Sequence, residues 1–347
     1  MQKTIPTWML FEDLVRRILT AINFDVAKND VRGERGFDLL ATLGNEQLAI
    51  EVKYYRTARA QPSLIEAAAL RLVNNAVHAQ AMKAVLVVSC VIPHKLEEQL
   101  VKKFNLVFVD RDVLRVWVAN FPDLLEELDA LLELDPSQPH RVRSTEDSHQ
   151  PNSVWTKTRH LKYIPPQPQD TMGTDLCREL KTVKRGRAEW AKYERICAKI
   201  LKYLFPHDLH GWHSQKRTDD GLSRFDFVCR VRPTTEFWKF VIDHLNSRYV
   251  LFEFKNYSGE IKQGQILTTE KYLLERGLRR LAIILTRKGV KRDAIAMTQG
   301  AMREHGKLML VVNDEKLCEM LHMKEEGEDP TDCLFDLADN FLLTLPR

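Results

Sequence analysis

The feature that most constrains this chain is that it matches itself, in order, along two halves. Self-similarity at a fixed offset decides architecture before local propensity does. The opening segment TWMLFEDLVRRILTAINF sets Trp8, Phe11, Leu14, Val15, Ile18, Leu19 and Ile22 at helical spacing. AEWAKYERICAKILKYLF repeats that pattern with Trp190, Tyr193, Ile196, Cys197, Ile200, Leu201 and Leu204, every pair 182 positions apart. A glutamate follows the aromatic in both copies, Glu12 after Phe11 and Glu194 after Tyr193. Further on LAIEVKYY meets VLFEFKNY, so that Glu51, Lys53 and Tyr55 pair with Glu253, Lys255 and Tyr257 at an offset of 202. A glutamine stands eight residues beyond each lysine, Gln61 and Gln263. The apolar runs AVLVVS (84–89) and LAIILT (281–286) come next, then NLVFVDRDVL and KLMLVVNDEKL. One shared Glu-x-Lys would be chance, but an ordered series along both halves argues for a duplicated unit. The growth of the offset from 182 to 202 predicts an insertion of 20 residues in the second copy, within 230–248.

Each copy is predicted to run helix, strand, strand, helix, strand, short helix, strand. Runs rich in Val, Ile, Leu and Phe suit buried strands, and strands alternating with helices predict an α/β fold, a mixed central sheet flanked by helices. The expected organisation is a first domain at 1–120 and a second at 187–322. Between them, 121–186 opens with an acidic amphipathic helix and continues as a Pro/Ser-rich linker. The acidic tail 323–347 ends in CLFDLADNFLLTL, whose Leu334, Leu337, Ala338, Phe341 and Leu345 share a helical face suited to packing on its own domain.

Charge is informative through its distribution. The net charge is +4, yet residues 187–322 carry 25 Lys and Arg against 17 Asp and Glu, whereas 323–347 carry 2 against 7. A basic second domain is compatible with a phosphate backbone as partner. No apolar run approaches the length of a membrane helix, and the N-terminus has charge inside its apolar stretch, so no membrane role is expected and the cytoplasm is the expected location. The six cysteines, with no CxxC pair, read as reduced core residues.

Glu-x-Lys on a strand has a definite physical consequence. Residues i and i+2 share a face, so Glu51 projects with Lys53, and Glu253 with Lys255. Both pairs lie in apolar strands, where an unpaired charge would cost several kcal/mol. One resolution is a plain ion pair at the strand end. The other is a metal with further carboxylates nearby, and each copy supplies one, Asp38 in RGFD and Asp226 in RFD, both opening an apolar strand. Two oxygen ligands completed by water and phosphate suit Mg²⁺.

Asp…Glu-x-Lys after a helix carrying a glutamate resembles the PD-(D/E)xK nuclease superfamily, and within it the Mrr-like restriction endonucleases, two in tandem. The resemblance spans Glu12, Asp38, EVK at 51–53, AVLVVS and FVDRDVL in the first copy, and Glu194, Asp226, EFK at 253–255, LAIILTR and VVNDEKL in the second. Phe37 and Phe225 stand where the family name has proline. The Asp-to-Glu spacing is 13 residues in the first copy and 27 in the second, where Asp219 and Asp220 compete with Asp226; the phenylalanine shared with Asp38 favours Asp226. The resemblance implies that Asp38, Glu51, Asp226 and Glu253 bind Mg²⁺ or Mn²⁺, and that Lys53 and Lys255 orient the attacking water and offset charge in the transition state. Glu12 and Glu194 would support the site. Gln61 and Gln263 would touch the site or the DNA, or simply begin a helix.

Other signals separate what remains. His207, His210 and His213 lack a helical frame, since Pro206 and Gly211 interrupt it, and read as a loop or strand entry rather than a metal site. Arg287, Lys288, Lys291 and Arg292 are candidates for contact with DNA phosphates or for a solvated face. No P-loop, GxSxG, HExxH, zinc finger or helix-turn-helix is visible, so no ATP dependence is expected. The expected function is a metal-dependent DNA endonuclease in restriction or defence. The alternative is a nucleic-acid-binding or regulatory subunit that acts with a protein partner or as a homo-oligomer.

Overall fold

In the computed structural model, residues 6–28, 36–43, 46–79, 81, 83–133, 170–214 and 226–346 are described. The chain divides into two compact units: unit 1 comprises Met1–Gln169 with Glu326–Glu328, and unit 2 comprises Asp170–Glu325 with Asp329–Arg347. Each unit is built on one five-stranded mixed sheet flanked by helices.

Unit 1 begins with α1 (Thr7–Ala21), whose Phe11, Leu14, Val15, Ile18 and Leu19 are buried as its i, i+3, i+4 spacing predicts. The strands follow in spatial order β1 (Asp25–Lys28), β2 (Leu39–Leu43), β3 (Glu46–Lys53), β4 (Lys83–Val88) and β5 (Val107–Val109). β1, β2 and β3 pair antiparallel, and β3, β4 and β5 pair parallel. The parallel pairs need crossovers, supplied by α2 (Pro62–His78) and α3 (His94–Phe104). α4 (Arg111–Val118) closes the order; the Asp110 carboxylate accepts from the N–H groups of Asp112 and Val113 at its start.

Strand alternation divides this core into two layers. Ala49, Ala84, Leu86 and Val88 face α2 and α3, while Leu48, Ile50, Val52, Val85 and Val87 face α1 and α4. Every residue of β4 is buried, as a strand covered on both faces must be. Each fully buried Leu, Ile or Phe contributes about 1.5–3 kcal/mol relative to exposure.

Unit 2 repeats the sheet in order and direction. β6 (Leu209–Ser214), β7 (Phe227–Val231) and β8 (Tyr249–Lys255) pair antiparallel, and β8, β9 (Leu281–Thr286) and β10 (Leu308–Asn313) pair parallel. Two helices, α6 (Met172–Thr182) and α7 (Trp190–Leu204), precede the sheet. α8 (Glu236–Asp243) lies between β7 and β8, inside the stretch predicted to hold the insertion. α9 (Gln263–Tyr272) and α10 (Arg292–His305) are the crossovers, and α11 (Asp314–Glu325) and α12 (Thr331–Leu343) complete the unit.

Several expectations meet a different structure. Each sheet has one strand more than predicted, β1 and β6, and β6 takes up His210 and His213 of the histidine cluster. The segment expected as a spacer, 121–186, gives α5 (Pro122–Leu131) to unit 1, where Leu128 is buried, and α6 to unit 2; its residues 134–169 lie outside those described. The acidic tail buries Cys333, Leu334 and Ala338 of α12 in the core of unit 2. The reading of all cysteines as reduced is corrected: Cys177 of α6 and Cys318 of α11 form a disulfide, their Cα atoms 5.3 Å apart. The packing of two helices 141 residues apart makes the pair, which no spacing rule reveals. Among the described residues, no helix is long and apolar enough to cross a membrane.

Candidate active site

The last residues of β3 and β8 carry the Glu-x-Lys pairs. Glu51 and Lys53 share parity with Ala49 and so lie on the face that α2 covers. Glu253 and Lys255 share parity with Leu251, on the face covered by α9 and α10. Lys53 Nζ lies 2.9 Å from Glu51 Oε1, and Lys255 Nζ lies 2.7 Å from Glu253 Oε2. The carboxylates are deeply buried, Glu51 at 4% and Glu253 at 3% exposure.

Sheet register brings the aspartates to these pairs. Leu39 faces Ile50 across the antiparallel β2–β3 pair, so the next position sets Asp38 opposite Glu51. Phe227 faces Phe252 across β7–β8, so Asp226 stands opposite Glu253. One hydrogen bond then recurs. Asp38 Oδ2 accepts from the N–H of Val52 at 2.8 Å, and Asp226 Oδ2 accepts from the N–H of Phe254 at 2.9 Å. In each unit the donor is the middle residue of Glu-x-Lys. Because register rather than loop length sets this geometry, the 14 further residues between Asp226 and Glu253 do not disturb it; the insertion there is smaller than the 20 expected, since the other 6 precede Asp226. Asp219 and Asp220 lie outside the described residues.

The approach to Asp38 is held by a tight turn. Gly36 has φ +72°, and a Cβ there would fall 2.4 Å from Asn75 Nδ2. The same amide of α2 donates to the Gly36 carbonyl at 2.5 Å. Glycine suits the left-handed conformation, and a Cβ there would have to displace the Asn75 amide.

Electrostatics at the two sites agree. Burial pushes Glu51 up to about 7; Lys53 opposes the shift and Asp38 adds to it. Burial likewise pushes Glu253 up to about 7, opposed by Lys255 and reinforced by Asp226. Burial would lower Lys53, but Glu51, Glu328 and Asp38 outweigh it and raise its pKa. Glu328, of the same unit, lies 3.2 Å from Lys53 Nζ. Lys255 is raised in the same way, with Glu253 and Asp226 overcoming burial. In each unit the aspartate adds to the upward shift of the buried glutamate and the lysine opposes it; unit 1 adds Glu328 beside its lysine and Arg71 near its glutamate. Glu253 Oε1 is buried without a hydrogen-bond partner. An oxygen-rich, charge-deficient corner of this kind fits a hard divalent cation. No group of three or more His, Cys, Asp or Glu suited to a metal occurs among the described residues; the carboxylates brought together are Asp38 with Glu51 and Asp226 with Glu253.

The other candidates fall into place less uniformly. Glu12 and the buried Glu194 sit on α1 and α7, whose apolar residues join the core layer on the opposite face of each sheet. Gln61 precedes the first residue of α2 and Gln263 is the first residue of α9, so both begin the helix that covers the site. Lys288, Lys291 and Arg292 are exposed. Arg287 is not: it is 6% exposed, its Nε 2.8 Å from Asp314 Oδ2, its guanidinium over the Tyr193 ring, and its Nη2 donating to the Val183 carbonyl at 3.0 Å. Its charge is spent within unit 2, and the expectation of a phosphate contact is withdrawn for this residue.

Two residues near the sites were not anticipated. Arg71 of α2 lowers the pKa of Glu51, and Tyr272 of α9 feels Glu253, Lys255 and Asp226 after burial has raised its own. Neither is marked by a local pattern in the sequence, because the groups each one meets lie on the Glu-x-Lys strand rather than on its own helix. No curated protein matches the chain. Residues 6–118, which hold Asp38, Glu51 and Lys53, match the restriction endonuclease family Mrr_cat, and this match supports a PD-(D/E)xK-type fold for that domain.

Proposed function

We propose that the chain is a divalent-metal-dependent DNA endonuclease with a site in each unit, acting in restriction or defence against foreign DNA. The observation that carries this reading is the recurrence in unit 2 of the Asp-to-backbone hydrogen bond and the buried Glu–Lys pair that unit 1 displays. Domains of the restriction endonuclease type typically use divalent metals and act on DNA.

Asp38 with Glu51, and Asp226 with Glu253, would hold Mg²⁺ or Mn²⁺. A bound divalent ion supplies polarisation of a phosphoryl oxygen and acidification of water. The chain's own groups do the rest. Lys53 and Lys255, protonated and held by their glutamates, present ammonium hydrogens at the strand ends, where they orient a water and balance charge that develops on phosphate oxygens. The hydrogen bonds from Val52 and Phe254 fix Asp38 and Asp226 beside the glutamates before substrate arrives, so little reorganisation is needed. Burial of Glu51 and Glu253 strengthens each of these interactions by excluding water. Exposed Lys288, Lys291 and Arg292 would add contacts to the DNA backbone.

The reading is tested by incubating supercoiled plasmid with the full chain in EDTA, Mg²⁺ and Mn²⁺. Cleavage restored by either ion and absent in EDTA is expected; cleavage unaffected by EDTA contradicts it.

A further inference from the structure

The turn that leads into α7 (Trp190–Leu204) has an unusual division of labour between main chain and side chains. Lys184, Arg185 and Arg187 are exposed, and Lys184 and Arg187 form no ion pair among the described residues. From 181 to 192 the sequence carries Lys181, Lys184, Arg185, Arg187 and Lys192 against a single carboxylate, Glu189. That carboxylate accepts from the Lys184 N–H.

The backbone of the same turn is tied down repeatedly. Asn256, the residue after Lys255, is 6% exposed, and its Nδ2 donates to the carbonyls of Lys184 at 3.0 Å and Gly186 at 2.9 Å. The Gly186 N–H donates back to the Asn256 carbonyl at 2.8 Å. Buried Arg287 donates to the Val183 carbonyl. Gly186 adopts φ +107°, a conformation that side-chain-bearing residues rarely take. Turning the Asn256 amide nitrogen toward two carbonyls leaves its Oδ1 buried without a partner. A simple connection between two helices needs none of this. The arrangement fastens a cationic turn to the end of the strand that carries Glu253 and Lys255. Exposed Tyr257 follows Asn256, and exposed Trp190 follows Arg187 by three residues. Cations interleaved with exposed aromatics are the composition of a nucleic-acid surface.

We propose that the Lys184–Arg187 turn is a docking surface for the phosphate backbone of DNA, with Asn256 and Arg287 as positioning residues that hold it beside Lys255. The proposal rests on the reading of unit 2 as a nuclease. It also gives Arg287 a place: not a contact to phosphate but an anchor behind the turn that makes the contact.

The test is the affinity of the full chain for a short fluorescent DNA duplex in EDTA, measured by anisotropy across a range of salt. Arg185→Ala combined with Arg187→Ala should weaken binding about tenfold or more at low salt and reduce the slope of log K against log salt by about 2, one unit per lost phosphate contact. Asn256→Ala should reproduce part of that loss of slope and should speed trypsin cleavage after Lys184, Arg185 or Arg187. A purely structural role for Asn256 would lower stability and leave the salt slope unchanged, which overturns the positioning assignment. Wild-type affinity and slope in the double arginine variant, whose substitutions are on the surface, overturns the docking surface itself. Plasmid cleavage by Lys255→Ala separates the two readings. If that variant cuts like wild type while the arginine variant loses binding, the docking surface stands and the nuclease reading of unit 2 falls. If Lys255→Ala only nicks the plasmid that wild type linearises while the arginine variant binds and cuts normally, the reverse holds.

Discussion

Units 1 and 2 present the same three side-chain types from the same sheet but surround them differently. In both, an aspartate at the start of the second strand accepts a hydrogen bond from the middle of Glu-x-Lys on the third. Around that constant, unit 1 sets Arg71 near its glutamate, where unit 2 sets Tyr272. Unit 1 fixes the turn before its aspartate through Gly36 and Asn75, while unit 2 fastens a basic turn to the end of its Glu-x-Lys strand through Asn256. The position of Asn256 is occupied in unit 1 by Tyr54, whose ring meets Phe11 of α1 instead. The comparison teaches that strand register and alternation determine the triad, whereas the surroundings vary without disturbing it. A helix of eight residues can enter between β7 and β8 because the hydrogen-bonded pairing, and not the connection, aligns Asp226 with Glu253.

The largest expected effect comes from removing the shared element one unit at a time. Asp38→Asn and Asp226→Asn keep an oxygen to accept the backbone N–H but lose the charge. Each should weaken Mn²⁺ binding at its own site by more than the 10–100-fold that outer partners of a metal cost, leaving the other site intact in a calorimetric titration. Loss of both binding events from one substitution would break the picture of two separate sites.

A smaller effect should distinguish the units by stability. Unit 2 has a disulfide and unit 1 shows none among its described residues. Reduction should therefore cost unit 2 about 2–4 kcal/mol, seen as a downward shift of one melting transition. If both transitions keep their midpoints in reductant, the Cys177–Cys318 link contributes nothing.

Gly36→Ala probes the turn peculiar to unit 1. The left-handed backbone costs about 1–2 kcal/mol for a residue with a Cβ, and contact with Asn75 adds to it. Impaired cleavage by unit 1 is expected, with unit 2 unaffected; full activity of both would show that Asp38 is placed without this turn.

The smallest effect concerns a carboxyl outside both Asp–Glu–Lys triads. Burial raises Asp329 of unit 2 to about 6, with Thr331 opposing the shift and Asp208 adding to it. The folded state then keeps a proton that the unfolded chain releases near its ordinary value of 3.8, so stability falls as pH rises between about 4 and about 6. Asp329→Asn should flatten that part of the pH–stability curve for unit 2. An unchanged slope would assign it to another group.

Much of this was legible in the sequence because it depends on period. Strand alternation put Glu51 with Lys53 and Glu253 with Lys255, and the repeated phenylalanine singled out Asp226. Helical spacing marked the buried faces of α1 and α7 from Phe11 and Tyr193 onward, but the first members of each pattern, Trp8 and Trp190, are exposed. What escaped depends on contacts distant in sequence. β1 and β6 are strands of mixed polarity at sheet edges, where pairing rather than apolar content makes the strand. Arg287 follows an apolar strand and precedes Lys288, so it reads as part of a solvated run; only the packing of Tyr193 and Asp314 against it reveals an internal ion pair. Asn256, Arg71 and Tyr272 carry no local signal, since their partners come from other elements.

The central claim is that both triads work. It is tested most directly by cleavage of supercoiled plasmid in Mn²⁺ with wild type, Lys53→Ala, Lys255→Ala and the double variant. The account predicts that wild type linearises the plasmid, each single variant only nicks it, and the double variant is inactive. A single variant that linearises plasmid as wild type does would show that its unit has no catalytic role.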